Sequence, residues 1–191
     1  MKIGVLAVQG AFIEHERMME KLGVSCVEIR QKSDLEAIDG IILPGGESTV
    51  QGKLLRKLDM LDTLQRNIQE GLPVLATCAG LILLAENIEN DETRHLATLP
   101  VTVKRNAYGR QLGSFHTTGA VGTIEDFPMT FIRAPYITDA SKDVTILSTI
   151  DDNIVGVRYQ NQIALAFHPE VTDDLRIHEL FLEVVQNYKK Q

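Results

Sequence analysis

Short apolar runs alternate with segments of helical periodicity through the first half of the chain. Buried strands are predicted at residues 3–8, 24–29, 41–43 and 73–76, where the side chains are mostly apolar. A helix is predicted at residues 12–22, which Gly23 ends. A second helical stretch ends at Gly71 and carries Leu54, Leu55, Leu58, Leu61 and Leu64. Buried strands that alternate with helices indicate a parallel sheet covered on both faces.

The second half of the chain has shorter apolar runs separated by turns. Strands are predicted at residues 98–104, 113–118, 129–132, 144–150, 154–159 and 163–167. The Asp-Asp-Asn at 151–153 predicts a hairpin turn, and a closing helix is predicted at 174–188 with Asp173 or Asp174 as its N-cap. We therefore expect one α/β domain over residues 1–191, with a mostly parallel central sheet flanked by helices and antiparallel strands added to it.

Composition narrows the function classes. The 191 residues carry a formal net charge of -7 and no basic run, which argues against nucleic-acid binding. No stretch approaches the roughly 18 uninterrupted apolar residues of a membrane span. The two cysteines form neither a disulfide framework nor a zinc motif, and no His, Cys, Asp or Glu grouping has metal-ligand spacing. We expect a cytoplasmic protein without a metal, a cofactor or a membrane partner.

A cysteine lies between a predicted strand and an apolar segment. The sequence Ala-Thr-Cys-Ala-Gly at 76–80 has the small neighbours that a nucleophile elbow needs around its strained central residue, Cys78. A helix that begins there would favour the thiolate over the thiol. A buried structural cysteine is the alternative, and this segment alone leaves the two interpretations about even.

His168 and Glu170 supply the groups that such a thiol needs. His168 directly follows the predicted strand at 163–167, and the carboxyl ends of parallel strands share one edge of a sheet. His168 can therefore meet Cys78 there and act as its base, while Glu170 orients the imidazole. Taken singly, each residue is better interpreted as a strand-end histidine or a solvated glutamate.

The sequence Pro-Gly-Gly-Glu-Ser at 44–48 follows the third predicted strand. Its glycines leave backbone N–H groups free to stabilise an oxyanion, an effect worth about 3–4 kcal/mol per donor in acyl transfer. The spacing matches no phosphate-binding loop. A helix-entry turn with Ser48 as N-cap explains the same residues, and both interpretations can hold together.

The remaining histidines have no motif around them. His15 and His178 are predicted on helices with their side chains facing solvent, and His95 in a polar loop. His116 is predicted in a strand, near the site but without a partner.

Together these residues resemble the class I glutamine amidotransferases and, within them, the glutaminase subunits of two-subunit pyridoxal phosphate synthases. The resemblance implies a flavodoxin-like, class I glutamine amidotransferase-like fold. Ala76 and Val171 depart from the pattern, which usually has glycine and leucine there, but neither position is catalytic. The matching segments are Val-Gln-Gly at 8–10, Pro-Gly-Gly-Glu-Ser-Thr at 44–49, Thr-Cys-Ala-Gly at 77–80, Arg-Asn-Ala-Tyr-Gly-Arg-Gln at 105–111, Phe-Ile-Arg-Ala-Pro at 131–135 and Phe-His-Pro-Glu at 167–170.

The resemblance implies a role for each of these segments. Cys78 would attack the side-chain amide of L-glutamine, His168 would transfer protons, and Glu170 would orient His168. The backbone N–H groups of Gly46 and Ala79 would form the oxyanion hole. The residues implied to hold glutamine are Gly46, Glu47, Ser48, Arg105, Ile132 and Arg133.

The resemblance also implies a protein partner. Ammonia would pass to a separate synthase subunit, a ring-forming β/α barrel that makes pyridoxal 5'-phosphate. Gln9 and Gly10 would lie at the interface with that subunit, which would complete the oxyanion hole.

Three other functions stay open. The chain could be a glutaminase subunit for another synthase, such as one in histidine biosynthesis, although the segment at 105–111 argues against it. It could be a stress-response protein with a redox-sensing elbow cysteine, which leaves His168 and Glu170 without a role. A scaffold without activity explains the fewest of these residues.

Overall fold

The structure, a computed structural model, describes residues 1–108 and 113–190. Positions 109–111 of the segment singled out above therefore lie outside the described residues. The helices are α1 (Phe12–Lys21), α2 (Ser48–Lys57), α3 (Leu61–Gln69), α4 (Ala79–Leu84) and α5 (Arg176–Tyr188), with 3-10 turns at Lys32–Leu35 and Pro169–Val171. The strands are β1 (Ile3–Leu6), β2 (Cys26–Ile29), β3 (Gly40–Leu43), β4 (Val74–Thr77), β5 (Ala85–Ile88), β6 (Leu99–Lys104), β7 (Ser114–Val121), β8 (Ile124–Ile132), β9 (Tyr136–Ala140), β10 (Thr145–Ile150), β11 (Asn153–Tyr159) and β12 (Gln162–Leu165).

Within the described residues, ten strands form one sheet: nine follow the order β2-β1-β3-β4-β12-β11-β9-β6-β5, and β10 pairs with β11 outside this order. The five strands from β2 to β12 are parallel, while β11 and β9 add antiparallel pairings. β7 and β8 form a separate antiparallel pair. The expected fold class, a mostly parallel sheet flanked by helices with antiparallel additions, is confirmed.

The central strands are buried on both faces. Every residue of β1, β3, β4 and β12 is buried, which explains their continuous apolar sequence. The longer helices bury one face each, as in α5, which buries Ile177, Phe181 and Val185, whereas every residue of α4 is buried. None of the helices within residues 1–108 and 113–190 has the length and apolar composition needed to cross a membrane.

The structure corrects several predicted elements. The single helix predicted before Gly71 is two helices, α2 and α3, because the chain turns at Asp59, whose φ is 54°, and buries Met60 between them. The strands β5 and β9 were not predicted, since polar side chains interrupt both. The predicted hairpin turn lies between β10 and β11, with Asp151 and Asp152 both at positive φ, as such turns require.

Both N-cap predictions are wrong by one or two positions. Glu47, not Ser48, is the N-cap of α2, and Ser48 is the first helical residue. Leu175 is the N-cap of α5, so neither Asp173 nor Asp174 holds that position. Asp174 nevertheless accepts the backbone N–H of Arg176 through Oδ1 at 3.1 Å, which satisfies one of the free N–H groups in the first turn of the helix.

The predicted exposure of His15 and His178 is wrong. Both side chains are fully buried, His15 on α1 and His178 on α5. His95 lies in the loop before β6, as predicted, but it is also buried. His15 and His178 lie on the buried faces of their helices and contact each other, whereas His95 packs against α2 at Gly52 and Arg56.

Candidate active site

Adjacent parallel strands bring Cys78 and His168 to the same edge of the sheet. β4 and β12 pair in register, with Thr77 opposite Leu165, and the backbone N–H of Cys78 donates to the Leu165 carbonyl at 2.8 Å. Cys78 follows β4 directly, and His168 follows β12 by three residues. The His168 N–H donates to the Thr130 carbonyl of β8 at 2.8 Å, which fixes where the chain turns at the strand end.

Cys78 occupies a strained turn between β4 and α4. Its φ of 49° and ψ of -101° lie outside the regions that L-residues favour, a strain of about 1–3 kcal/mol. The turn is tight because α4 lies against β3: a Cβ on Gly80 would collide with the Leu43 carbonyl oxygen. This packing maintains the strained backbone conformation of Cys78, and the turn places its side chain at the N-terminus of α4.

His168 is held between Cys78 and Glu170. Its Nδ1 lies 2.6 Å from Glu170 Oε1, and both side chains are buried. Burial disfavours the imidazolium, but hydrogen bonds to Cys78 and Glu170 outweigh it and raise the pKa of His168 to about 10. Burial alone would raise the pKa of Glu170. The neighbouring His15 and His168 have the larger, opposite effect, so the pKa of Glu170 lies below its usual range. The arrangement therefore favours an imidazolium at His168 beside the carboxylate of Glu170.

The loop after β3 lies against the other side of His168. Gly45 packs on the imidazole so closely that any Cβ there would collide with the ring. A Cβ on Gly46 would likewise collide with Oε1 of Gln9. The same oxygen accepts the backbone N–H of Glu47 at 2.8 Å. Gly10 has a φ of 108°, and a Cβ on it would collide with the Gly45 carbonyl oxygen. The glycines are thus required by close packing around the imidazole.

A cavity of about 430 Å³ opens in front of Cys78. All of the sequence-predicted site residues line it except Glu170, which lies behind His168. The predicted residues that line the cavity are Gln9, Gly10, Gly46, Glu47, Ser48, Cys78, Ala79, Arg105, Ile132, Arg133 and His168. Gly45, Thr49 and Asn106 also line the cavity and lie within the segments singled out from the sequence, although none was given a site role. Ala11 and Ile82 complete the lining, and the sequence motifs do not include them.

The cavity is polar at its mouth and offers donors deeper down. Arg133 Nη2 lies 3.4 Å from Glu47 Oε1 across the opening, and both side chains are largely exposed. Arg105 pairs with Asp91 through Nη1 at 3.1 Å, while its Nε and Nη2 are buried without an acceptor in the described part of the chain. Buried guanidinium N–H groups without acceptors are costly, and a carboxylate ligand would satisfy them.

The other histidine predicted near the site is paired elsewhere. His116 lies in β7, as predicted, and its Nδ1 is 3.0 Å from Thr130 Oγ1 on β8. Among residues 1–108 and 113–190, no group of three or more His, Cys, Asp or Glu side chains is arranged to hold a metal ion.

Comparison with known proteins identifies the family. Residues 5–187 match the SNO glutamine amidotransferase family. The chain belongs to this family. Its members include a protein named "Pyridoxal 5'-phosphate synthase subunit PdxT" from Desulfitobacterium hafniense, 60% identical, over 99% of this chain and 96% of that protein. A protein of the same name from Methanocorpusculum labreanum is 53% identical, over 97% and 98%.

A solved structure supports the same family. The protein titled "Crystal structure of glutamine amidotransferase" superposes with a TM-score of 0.93 at 41% identity, covering 96% of this chain and 98% of that one. The resemblance drawn from the sequence segments is therefore confirmed, as is the expectation of a glutamine amidotransferase.

Proposed function

We propose that this chain is the glutaminase subunit of a pyridoxal 5'-phosphate synthase and that Cys78, His168 and Glu170 form its catalytic triad. The observation that carries the proposal is the buried Glu170–His168 pair, 2.6 Å apart, beside a cysteine at a strained elbow in the cavity. Family membership and the PdxT relatives support the substrate and the pathway.

The reaction starts with the thiolate of Cys78. It attacks the side-chain amide carbon of glutamine, and the developing oxyanion is stabilised by the backbone N–H groups of Gly46 and Ala79. The imidazolium of His168 donates its proton to the departing nitrogen, so ammonia leaves and a γ-glutamyl thioester remains. His168 then takes a proton from water, and the resulting hydroxide attacks the thioester carbonyl, which releases glutamate and returns the thiolate of Cys78 beside the imidazolium. Glu170 keeps His168 oriented and stabilises its charged form.

Glutamine recognition falls to the polar groups around the cavity. The free Nε and Nη2 of Arg105 suit the α-carboxylate, because a guanidinium binds a carboxylate with two parallel hydrogen bonds. Glu47 at the mouth suits the α-ammonium. Ser48, Ile132 and Arg133 complete the lining, and the side chain of glutamine then points toward Cys78.

Ammonia passes to a synthase subunit that docks at the mouth of the cavity. Gln9 and Gly10 lie there and contact the loop at 45–47 that would complete the oxyanion hole. Ile13 on α1 and Val50 on α2 are large apolar side chains exposed at 47% and 43%, on the two helices that begin at this mouth. Exposed apolar side chains beside a polar opening are typical of a docking surface.

Glutamate release from L-glutamine tests the proposal, measured with and without the cognate synthase subunit. We expect release to rise with the synthase and to fall by roughly three orders of magnitude or more in Cys78→Ala. Cys26→Ala is the matched control, because Cys26 is the second free cysteine and does not line the cavity. Unchanged turnover in Cys78→Ala would refute the triad, whereas a missing response to the synthase would refute the pathway alone.

A further inference from the structure

Two buried histidines lie directly behind the proposed triad. His15 on α1 and His178 on α5 are fully buried, and His15 Nδ1 is 2.9 Å from His178 Nε2. The proposed reaction uses neither ring. Burying two imidazoles is costly unless their nitrogen atoms are hydrogen-bonded, so their presence at this place calls for a reason.

His15 reaches two groups of the site at once. Its Nε2 lies 3.2 Å from Thr77 Oγ1 and 3.5 Å from Glu170 Oε2. Glu170 uses its other oxygen, Oε1, for His168. Thr77 Oγ1 in turn accepts the backbone N–H of Gly45 at 3.2 Å, in the loop that packs on the His168 ring. His15 therefore contacts both the acid of the triad and the support of the oxyanion loop.

These contacts decide where the protons of the two rings lie. A carboxylate only accepts hydrogen bonds, so a proton on His15 Nε2 turns a repulsive contact with Glu170 Oε2 into an attractive one. His15 Nδ1 is then an acceptor, and His178 Nε2 donates to it. This leaves His178 Nδ1 as a bare acceptor, in line with its lack of a partner in the described chain. The opposite arrangement would bury an unpartnered N–H.

We infer that His15 is a positioning residue of the glutaminase: its Nε2–H is hydrogen-bonded to Thr77, which holds the loop at Gly45, and it lies 3.5 Å from the second oxygen of Glu170, which it attracts electrostatically. His178 fixes the ring of His15 in the orientation and tautomer that this needs. The inference rests on the proposed function of Cys78, His168 and Glu170. It adds a polar chain that runs from α5 through α1 to the triad and to the oxyanion loop.

The surroundings of His15 keep it neutral. The titratable groups that face it are Glu170 and His168 at the end of β12, His178 on α5 and Glu14 on its own helix. Burial lowers the pKa of His15, and Glu170 opposes this only in part. A neutral donor suits a positioning role, because a cation there would compete with His168 for the carboxylate.

A matched pair of variants tests the inference in the full chain with its synthase subunit. His15→Leu keeps the apolar volume but removes the donor. His15→Gln restores a donor, because the side-chain amide nitrogen of glutamine occupies about the same place as Nε2. We expect His15→Leu to lower kcat for glutamate release about tenfold with little change in KM, and His15→Gln to recover most of it.

Two further readouts separate positioning from a loss of folding. In His15→Leu, the buried Glu170 carboxylate loses the polar N–H that lies 3.5 Å from its Oε2, so its pKa rises and the acid limb of the pH profile of kcat/KM moves to higher pH. The alkylation rate of Cys78 by iodoacetamide, followed by mass spectrometry, falls with it. Cys26 is the internal reference, since burial raises its pKa to about 12.

The outcomes distinguish a failure of the proposed function from a failure of the positioning role of His15. An inactive wild type refutes the proposed function itself. An active wild type with equal kcat and the same acid limb in His15→Leu refutes the positioning role. If His15→Leu and His15→Gln are equally impaired with unchanged pH profiles, His15 serves packing alone, which also overturns the inference.

Discussion

The protonation of His168 is a competition between burial and hydrogen bonding. Burial lowers the pKa of His168, but the hydrogen bonds to Cys78 and Glu170 have the larger effect and raise it from 6.5 to about 10. A group that binds its proton more tightly in the folded state stabilises that state most at low pH. His168 thus links the chemistry of the site to the stability of the whole chain.

This link predicts how stability depends on pH. The contribution of His168 is fully present below pH 6.5 and is lost as the pH rises toward about 10. We expect the free energy of unfolding, measured in urea across this window, to decline less steeply in His168→Gln than in wild type. Cys78→Ala removes one of the two hydrogen bonds and lies between them. Parallel curves for wild type and His168→Gln would contradict the raised pKa.

Single residues also mark where sequence reasoning succeeds and fails. Cys78 and His168 were predicted at one sheet edge because each follows a buried strand, a rule that needs no side-chain detail. His15 and His178 were expected in solvent because histidine is polar. Their spacing held the contrary signal: His15 lies four residues before Met19, and His178 lies three before Phe181, so both fall on the apolar stripes.

At the scale of elements, the loops after β1 and β3 are built against each other. Ala11 donates its backbone N–H to the Gly45 carbonyl at 3.0 Å, and Gln51 Nε2 donates to the carbonyls of Gln9 and Pro44. The position of the loop at 45–47, proposed to form the oxyanion hole, therefore depends on the start of α1. The sequence showed the two Gly-containing segments but not that they touch, because the contact joins strands whose order in the sheet the pattern does not give.

A pair of glycine variants tests this dependence. Gly10 and Gly23 both have positive φ, but a Cβ on Gly10 collides with the Gly45 carbonyl, whereas a Cβ on Gly23 meets nothing within 4 Å. We expect Gly23→Ala to lower the free energy of unfolding by about 1 kcal/mol and to leave glutaminase activity intact. Gly10→Ala displaces the loop and lowers kcat roughly a hundredfold. Equal activity in the two variants would show that the position of the loop does not affect catalysis.

At the scale of the whole molecule, the cavity mouth joins the site to the proposed partner. α1 and α2 both begin there and expose Ile13 and Val50 beside it. Gln9 lies between this surface and the oxyanion loop, since its Oε1 holds the Glu47 N–H. The prediction of one domain over residues 1–191 stays a prediction. The order of the sheet strands could not be read from the sequence, because pairing between distant strands leaves no local pattern.

The position of Gln9 predicts a selective loss in the complex. Gln9→Ala removes the acceptor of the Glu47 N–H and the contact with Gly46, so we expect the rise in glutamate release on adding the synthase subunit to shrink about tenfold. Gln69→Ala, an exposed glutamine on α3, is the matched control and should respond as wild type does. Full stimulation of Gln9→Ala would show that the partner acts through other residues.

The sheet order also governs when during synthesis Cys78 and His168 come together. β12 is the last strand of the chain but lies in the middle of the sheet, beside β4, which is made far earlier. Pairing of such distant segments pays its loop-closure cost before it gains stability, so it comes late. A nascent or truncated chain thus carries Cys78 without its histidine. In the proposed mechanism, hydrolysis of glutamine therefore waits until the C-terminal segment has left the ribosome, and the reactivity of Cys78 would report that folding is complete.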